Sequence, residues 1–344
     1  MIDWTKIDKA SRILLEAELR PAQGERFQPT GFADLGAAQF TRPDGKDMLL
    51  VESAQSVANR LEKTCLDGDG PDLAAELKGL PYVAATLSGA DEAIRTSSLV
   101  EAHRIGSPYF LHNKTFKDRL AKEMKYNPKH PLDWKTIYAT LFRYDPNSLL
   151  HGVFLSLLDG GRVRAPRAVT GFIEAENVRK AISGGVKNSP VDPKGELQAA
   201  EAEGGEKGVY SNVPYSRVEF TAEKVRAYFN IDLALIRGYG LPAEAYRLLV
   251  GLALLKVRRF LESHLRLRTA CDFQLAGDVR ATAPTGFAVP PEAVLLADLQ
   301  NEISGCKALF AEPPVTELTT VVKVVKPAKG KKGEEESAAR EEAQ

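Results

Sequence analysis

The sequence predicts an α+β protein with one large ordered region, and three stretches carry this prediction. The apolar run MLLV at 48–51 leads directly into the helical pattern SAQSVANRLE, as at the start of a βαβ unit or a ferredoxin-like fold. The longest helical pattern begins with Pro242 in its first turn and continues as AEAYRLLVGLALLKVRRF, which is typical of a buried helix. The β-branched stretch TELTTVV at 316–322 predicts a late strand.

The first fifty residues read as helix, strand, turn and strand. Residues 2–20 are interpreted as an amphipathic helix that Pro21 ends. From 27 to 51 two strand patterns flank Pro43-Asp44-Gly45, whose residue types favour a tight turn. A strand followed at once by the helix at 53–62 therefore opens the predicted α/β unit.

The middle of the chain alternates further helices and strands. Helical periodicity predicts helices within 71–80 and 131–142. Residues 148–161 are interpreted as a buried strand that ends at Asp-Gly-Gly, followed by a basic extended stretch and then a second strand or helix start.

Two segments are expected to leave the compact region. About thirty residues from 183 are rich in Gly, Pro and small polar types, and so long an irregular stretch is uncommon in a compact domain. We therefore predict a protruding insertion at about 180–215 within an ordered domain of residues 1–326. Residues 327–344 have too few apolar side chains to order themselves and predict a disordered, charged tail.

Composition excludes several classes of function. The 46 basic and 46 acidic residues balance, so net charge gives no argument for a partner, although 12 Lys/Arg oppose 5 Asp/Glu between 104 and 167. Three widely spaced cysteines fit neither a disulfide framework nor a metal site, which favours a reducing, cytoplasmic setting. The start has no signal peptide pattern, and the most apolar run, 248–255, is shorter than the roughly 20 residues of a membrane span.

Motifs for cofactors, metals and nucleophilic catalysis are missing from the sequence. No P-loop, GxSxG or HExxH string occurs, and no two histidines have metal-ligand spacing. Glu101 and His103 point apart at a two-residue spacing on a helix, and His151, in an apolar context, is interpreted as a core histidine. Nucleotide-dependent enzymes and serine hydrolases therefore lose their usual support, and we expect no cofactor and no metal.

The helix after MLLV carries a polar stripe of Ser53, Ser56, Arg60 and Lys63. Two hydroxyls, the free N–H groups of the first turn and a cation one turn later are groups that bind phosphate. The alternative is that Ser53 caps the helix and Arg60 is an ordinary surface residue. Geometry alone favours this alternative.

A second basic constellation follows the predicted strand at 148–161. Alternation places Arg162 and Arg164 on one face of an extended segment, with Arg167 shortly after, an arrangement that can follow a nucleic-acid backbone. A solvated edge strand is an equally good interpretation of these residues alone. His103, Arg104 and Tyr109 in the preceding segment are residue types that could stack on or pair with an RNA base, although this segment could equally be a packed helix end. Lys187 adds a positive charge in the insertion.

Several blocks, in order from about residue 30 to about residue 270, resemble the backbone subunit of type I CRISPR interference complexes. The similarity is to the type I-G branch (formerly I-U) of the Cas-seven family in the RAMP superfamily. The blocks are VESAQSVANRLE, SSLVEAHRIGSPYF, SLLHGVFL, RVRAPRAVTGFIEAENVRKAISGGVK and YSRVEFTAEKVRAYFNIDL.

The resemblance implies a modified RRM, or ferredoxin-like, palm with large insertions that form fingers and a thumb, the thumb lying at 180–215. It implies a non-catalytic subunit that oligomerises along CRISPR RNA, joins other effector subunits and leaves bases free to pair with target DNA. The implied RNA contacts are Ser53, Ser56, Arg60, His103, Arg104, Arg162, Arg164, Arg167 and Lys187.

Two other functions stay open at this point. Some related backbone subunits, in type III complexes, cut RNA with a loop aspartate, and Asp159 or Asp192 could be proposed for that role here. A protein-interaction module without nucleic acid is the other alternative.

Overall fold

The computed structural model describes residues 1–32, 36–89, 92–188, 190–191, 213–263 and 265–323. It confirms a mixed α+β protein. Most of the predicted insertion and the whole predicted tail lie outside the described residues.

The helices, including short ones, are α1 Trp4–Ile7, α2 Ala54–Lys63, α3 Pro108–Leu111, α4 Lys114–Glu123, α5 Trp134–Tyr144, α6 Pro146–His151, α7 Leu233–Gly238, α8 Ala243–Glu262 and α9 Glu292–Gly305, with 3₁₀ turns at Ala75–Leu77, Arg104–Gly106 and Lys307–Leu309. The strands are β1 Ile13–Pro21, β2 Gly31–Phe32, β3 Gly36–Ala37, β4 Gln39–Thr41, β5 Asp47–Glu52, β6 Tyr82–Ser88, β7 Ile94–Ser97, β8 Val153–Phe154, β9 Arg164–Ala165, β10 Val169–Glu176, β11 Arg179–Lys187, β12 Val213–Thr221, β13 Lys224–Ile231, β14 Leu265–Arg268, β15 Cys271–Leu275, β16 Arg280–Ala283 and β17 Val315–Val321.

One large antiparallel sheet organises the fold, in the order β14-β15-β1-β13-β10-β5-β4, with β16 also pairing with β1. Its central strands are in register, with Ile13 opposite Ile231 and Ile231 opposite Val169. Helix α2 packs on β10 and on α8, and α8 also packs on β13, β14 and β15. The main core therefore lies between these helices and one face of the sheet.

Strand β1 corrects the predicted helix at 2–20. Only Trp4–Ile7 is helical there, and Ile13–Pro21 is a strand. Leucine, glutamate and alanine favour helices, but intrinsic propensity is a weak preference that tertiary context overrides. In β1 every second residue is buried, and both strand edges pair, with β13 on one side and β15 and β16 on the other.

Two other predicted elements were also wrong. The predicted helix at 71–80 contains only the 3₁₀ turn Ala75–Leu77, which fits the marginal stability of short isolated helices. The predicted strand at 148–161 begins instead as α6, which Asp145 caps by accepting a hydrogen bond from the Ser148 backbone amide at 3.4 Å. Gly152, at φ 79°, ends this helix, and only the two residues of β8 follow as strand.

The elements specified by local patterns are confirmed. The turn at 43–45 joins β4 to β5, and β5 leads directly into α2. Helices α5 and α8 and strand β17 lie where their patterns predicted them. Strand β17 pairs in parallel with β6 in a second, three-stranded sheet completed by β7.

Strands β10 and β13 continue outward as a second hairpin, β11–β12. The register runs from Arg179 opposite Thr221 to Lys187 opposite Val213. This hairpin begins the predicted insertion, whose residues 192–212 lie outside the described part of the chain.

Candidate nucleic-acid interface

Two members of the polar stripe of α2, Ser56 and Arg60, contact a buried carboxylate, that of Glu52. Ser53 is the helix cap and its hydroxyl accepts from the Ser56 amide at 3.3 Å. The Ser56 hydroxyl and the Arg60 Nε, at 3.2 Å, both donate to Glu52. Glu52 is fully buried, so these donors are directed inward in this structure.

Arg268 completes the set of donors around Glu52. Its guanidinium donates to the second Glu52 oxygen and, at 3.1 Å, to the Val51 carbonyl. Arg60 also donates to the carbonyls of Arg266, at 3.4 Å, and Leu267. The cluster therefore ties the end of β5 and helix α2 to β14, while the side chain of Arg60 keeps 28% of its surface exposed.

Arg104 lies in the interior, in a left-handed backbone conformation. Its Nε and Nη2 donate to the two carboxylate oxygens of Glu62 at 2.6 and 2.7 Å, and its Nη1 donates to the Gly152 carbonyl at 3.0 Å. Such a two-point pair fixes a guanidinium firmly. Burial and these bonds place Arg104 out of reach of a phosphate on the surface, so we leave it out of the candidate interface.

A buried polar network extends from Glu62. Asn147 donates to Glu62 at 2.8 Å and accepts from Lys256, whose ammonium lies 2.9 Å from the His151 Nε2. Burial lowers the pKa of Lys256, and burial together with the nearby Lys256 charge holds the pKa of His151 well below its usual value. His151 is buried, as predicted, but it ends α6 rather than lying in a strand, and its Nδ1 has no hydrogen-bond partner among the described residues.

Arg167 joins this interior to the first turn of α2. It donates to the His151 carbonyl at 3.2 Å, to the Ala54 carbonyl at 3.3 Å and to the Gln55 side chain at 2.8 Å. Partial burial lowers its pKa from the usual arginine value. Arg167 therefore holds the segment after β9 against the first turn of α2, next to the predicted site residues Ser53 and Ser56.

Arg162 and Arg164 lie on the exposed side of the ribbon formed by β8 and β9. Val163 and Ala165 are buried between and after them, so the predicted alternation is confirmed. Arg162 donates to the carbonyls of Pro128 and His130 at 2.8 and 3.0 Å. Neither arginine forms a salt bridge within the described ranges.

Phe154 is a surface residue that the sequence argument did not select. It lies opposite Arg164 in the ribbon, and the Arg164 guanidinium carbon is 4.4 Å from the centre of its ring. Phe154 as a whole residue is 40% exposed. Alternation was the available signal, because Phe154 stands between the buried residues Val153 and Leu155 and must therefore point outward.

The remaining predicted contacts lie elsewhere. His103 is exposed beside the buried Arg104. Lys187 is exposed at the end of β11 that is farther from the large sheet. The structure thus groups Ser53, Ser56, Arg60 and Arg167 around α2, and Arg162 with Arg164 on the ribbon.

Asp159 lies exposed in the loop between β8 and β9, where its carbonyl accepts a hydrogen bond from the Tyr126 hydroxyl. Asp192 lies outside the described residues. The described ranges contain no group of three or more His, Cys, Asp or Glu side chains arranged to hold a metal ion. Over the same ranges, no helix has both the length and the apolar character needed to cross a membrane.

Solved structures with some likeness to this chain belong to CRISPR systems. Two are titled "CRISPR RNA-guided surveillance complex", the first in a pre-nicking state, and both are 13% identical. The first covers 77% of this chain and 74% of its own at a TM-score of 0.41, and the second 87% and 84% at 0.36. Thermofilum pendens Csc2 is 10% identical and covers 89% of this chain and 80% of its own, at a TM-score of 0.31. TM-scores this low support no conclusion about fold or function.

A family model gives the stronger comparison. The model described as CRISPR-associated protein GSU0053 matches residues 13–180, about half of the chain, whereas no curated protein matches. The matched range runs from β1 into β11 and includes α2, the buried Glu62–Arg104 pair and the β8–β9 ribbon. Residues 13–180 of this chain therefore match the family model of CRISPR-associated protein GSU0053, in agreement with the resemblance to a CRISPR-associated protein seen in the sequence.

Proposed function

We propose that this protein is a non-catalytic, RNA-binding backbone subunit of a type I-G CRISPR effector complex. Several copies line up along one CRISPR RNA, contact its backbone and leave its bases free to pair with target DNA. The observation that carries this proposal is the exposed arginine face of the β8–β9 ribbon inside the segment that matches a CRISPR-associated family model.

The sheet order supports a ferredoxin-like palm. Strands β15-β1-β13-β10 are adjacent and antiparallel. Helix α2 lies in the chain between β1 and β10, and α8 lies between β13 and β15. Two strand–helix–strand units arranged in this way form the βαββαβ topology of ferredoxin-like and RRM domains. The β11–β12 hairpin then begins the thumb, and the insertion between α2 and β10 forms the fingers.

The ribbon has the chemistry needed to bind a phosphate backbone. Guanidinium groups bind two phosphate oxygens at once. Arg162 and Arg164 are free of carboxylate partners in the described part of the chain, so their charges are available to a ligand. Arg167, together with the capped first turn of α2, adds a second positively charged site for a phosphate. Ser56 and Arg60 would contribute to phosphate binding only if they exchanged their hydrogen bonds to Glu52 for bonds to a phosphate.

The partners in this proposal are CRISPR RNA, further copies of the chain, the other effector subunits and, through guide pairing, target DNA. The balance of 46 basic and 46 acidic residues suits a filament, because identical neighbours carry no strong net repulsion.

All three cysteines of the chain, Cys65, Cys271 and Cys306, are buried free thiols, which agrees with a cytoplasmic protein.

Binding of fluorescent single-stranded RNA, measured by anisotropy at several salt concentrations, tests the proposal. The double variant Arg162→Ala, Arg164→Ala should weaken binding by a similar factor for unrelated RNA sequences, since phosphates carry no sequence information. The slope of log K against log salt should decrease by about 0.7 for each phosphate that the variant no longer binds.

The matched control, Arg280→Ala, removes one exposed charge from β16 and should change binding little. Loss of affinity for one RNA sequence only would contradict backbone contact. Magnesium-dependent cleavage of the RNA that disappears in Asp159→Ala would contradict the non-catalytic assignment.

A further inference from the structure

The ribbon carries a second kind of group beside its charges, an outward-facing aromatic ring. Phe154 is 40% exposed, while its chain neighbours Val153 and Leu155 are 6% and 0% exposed. Single apolar residues on a surface are common and need no explanation alone. The arrangement around this ring distinguishes it from such residues.

Arg164 stacks on the ring instead of pairing with an acid. The guanidinium carbon is 4.4 Å from the ring centre, within the range of a cation–π contact. Both side chains are exposed, so a planar group has access to the pair. Within the described ranges no carboxylate neutralises Arg164 or Arg162, which leaves the surroundings attractive to a phosphate.

The backbone under the ring is fixed. The Leu155 amide donates to the Val163 carbonyl at 3.0 Å, and Phe154 pairs with Arg164 across the ribbon. A Cβ on Gly106 would come within 2.7 Å of the Phe154 carbonyl, so the 3₁₀ turn packs closely against β8. The ring is therefore presented by a rigid support, which lowers the entropic cost of binding.

A stacked pair of aromatic rings on the large sheet, Phe172 with Tyr228, has different surroundings from Phe154. These rings lie 5.1 Å apart on β10 and β13. Alternation places Glu174 and Glu176 on the same side of β10 as Phe172. Carboxylates repel phosphate, so the ribbon and not the sheet face combines an aromatic ring with unpaired positive charge.

We propose that Phe154 and Arg164 form a stacking platform for one base of the bound single-stranded RNA. The inference rests on the proposed function and adds to it a contact with a base. Every base has a planar face, so this contact tolerates any sequence. A base held on the platform would be separated from the run of bases that pairs with target DNA.

RNA carrying 2-aminopurine at successive positions tests the platform, because stacking on an aromatic ring quenches the fluorescence of this base. With the wild-type protein, at least one position should be quenched. Phe154→Leu keeps an apolar side chain without a planar face, so it should abolish that quenching and weaken binding about tenfold. The salt dependence should stay unchanged, since the same phosphates remain bound.

Phe154→Trp should retain quenching and affinity, which separates stacking from a general effect on folding. Phe40→Leu is the matched control, because Phe40 is 45% exposed on β4, and it should behave as wild type. Arg164→Lys keeps the charge but not the plane and should reduce quenching.

Three outcomes would overturn the inference. If Phe154→Leu binds and quenches as wild type does while the Arg162→Ala, Arg164→Ala variant binds weakly, the platform is wrong and the proposed function stands. If the wild-type protein binds no RNA, the proposed function and the platform both fail. If Phe154→Leu binds RNA normally but no longer joins its complex, the surface contacts protein.

Discussion

Replacing Arg104 by methionine should destabilise the protein strongly without acting through the RNA surface. The side chains of Arg104 and Glu62 are each 9% exposed and form a two-point pair. Methionine fills most of the arginine volume but leaves the Glu62 carboxylate with the Asn147 amide as its one hydrogen-bond donor among the described residues. Breaking a buried pair on one side costs about 3–5 kcal/mol, a large part of the roughly 5–15 kcal/mol by which folded proteins are stable.

Urea unfolding followed by circular dichroism measures this cost. The midpoint should decrease while the slope against urea stays constant, as expected when only stability changes. The double variant Arg104→Met, Glu62→Met should be more stable than the single Arg104 variant, because it leaves no unpaired buried charge. Arg164→Met, at an exposed position, should stay within about 0.5 kcal/mol of wild type.

A stability of Arg104→Met equal to that of wild type would refute the structural role of the pair. If that variant instead folded normally and bound RNA weakly, Arg104 would be the RNA contact that the sequence resemblance implied.

Three further predictions concern other parts of the molecule. Burial raises the pKa of Asp145 to about 6 from 3.8, so the folded protein keeps a proton that the unfolded chain has released. This stabilisation is complete below about pH 3.8 and is lost as the pH rises through about 6. The stability of wild type minus that of Asp145→Asn should therefore decrease by up to about 3 kcal/mol from about pH 4 to about pH 6.5, and a constant difference would contradict the assignment. Glu52→Gln should lower the urea midpoint, because Arg60 and Arg268 lose their shared carboxylate; an unchanged midpoint would show that the cluster is not a structural tie. Deleting 196–208 should leave the urea midpoint unchanged and shorten assemblies on RNA seen by size-exclusion chromatography, whereas unfolding would show that this segment is part of the core.

Local patterns explain which parts of the fold could be predicted from the sequence. The turn before β5, the helix α8 and the alternation around Val163 depend on residues a few positions apart, and the structure agrees with each. Strand β1 could not be recognised, because its residues favour a helix and its pairing partner β13 lies some two hundred positions away.

The same distinction holds for the candidate site. The exposure of Arg162 and Arg164 follows from period-two alternation and was predictable. The burial of Arg104 follows from Glu62, 42 residues away, and the inward orientation of Arg60 depends partly on β14, 206 positions further along the chain. Such partners are visible only once the chain is folded, so a basic residue in the sequence does not establish a basic surface.

The nucleic acid that purifies with the protein tests the central claim most directly. We expect the full chain, purified from cells that also express a CRISPR array, to carry RNA of discrete length derived from that array. The assembly should contain several copies of the chain and dissociate at high salt or after ribonuclease treatment. A monomer that carries no nucleic acid and shows no salt-dependent affinity for RNA would contradict the proposed function.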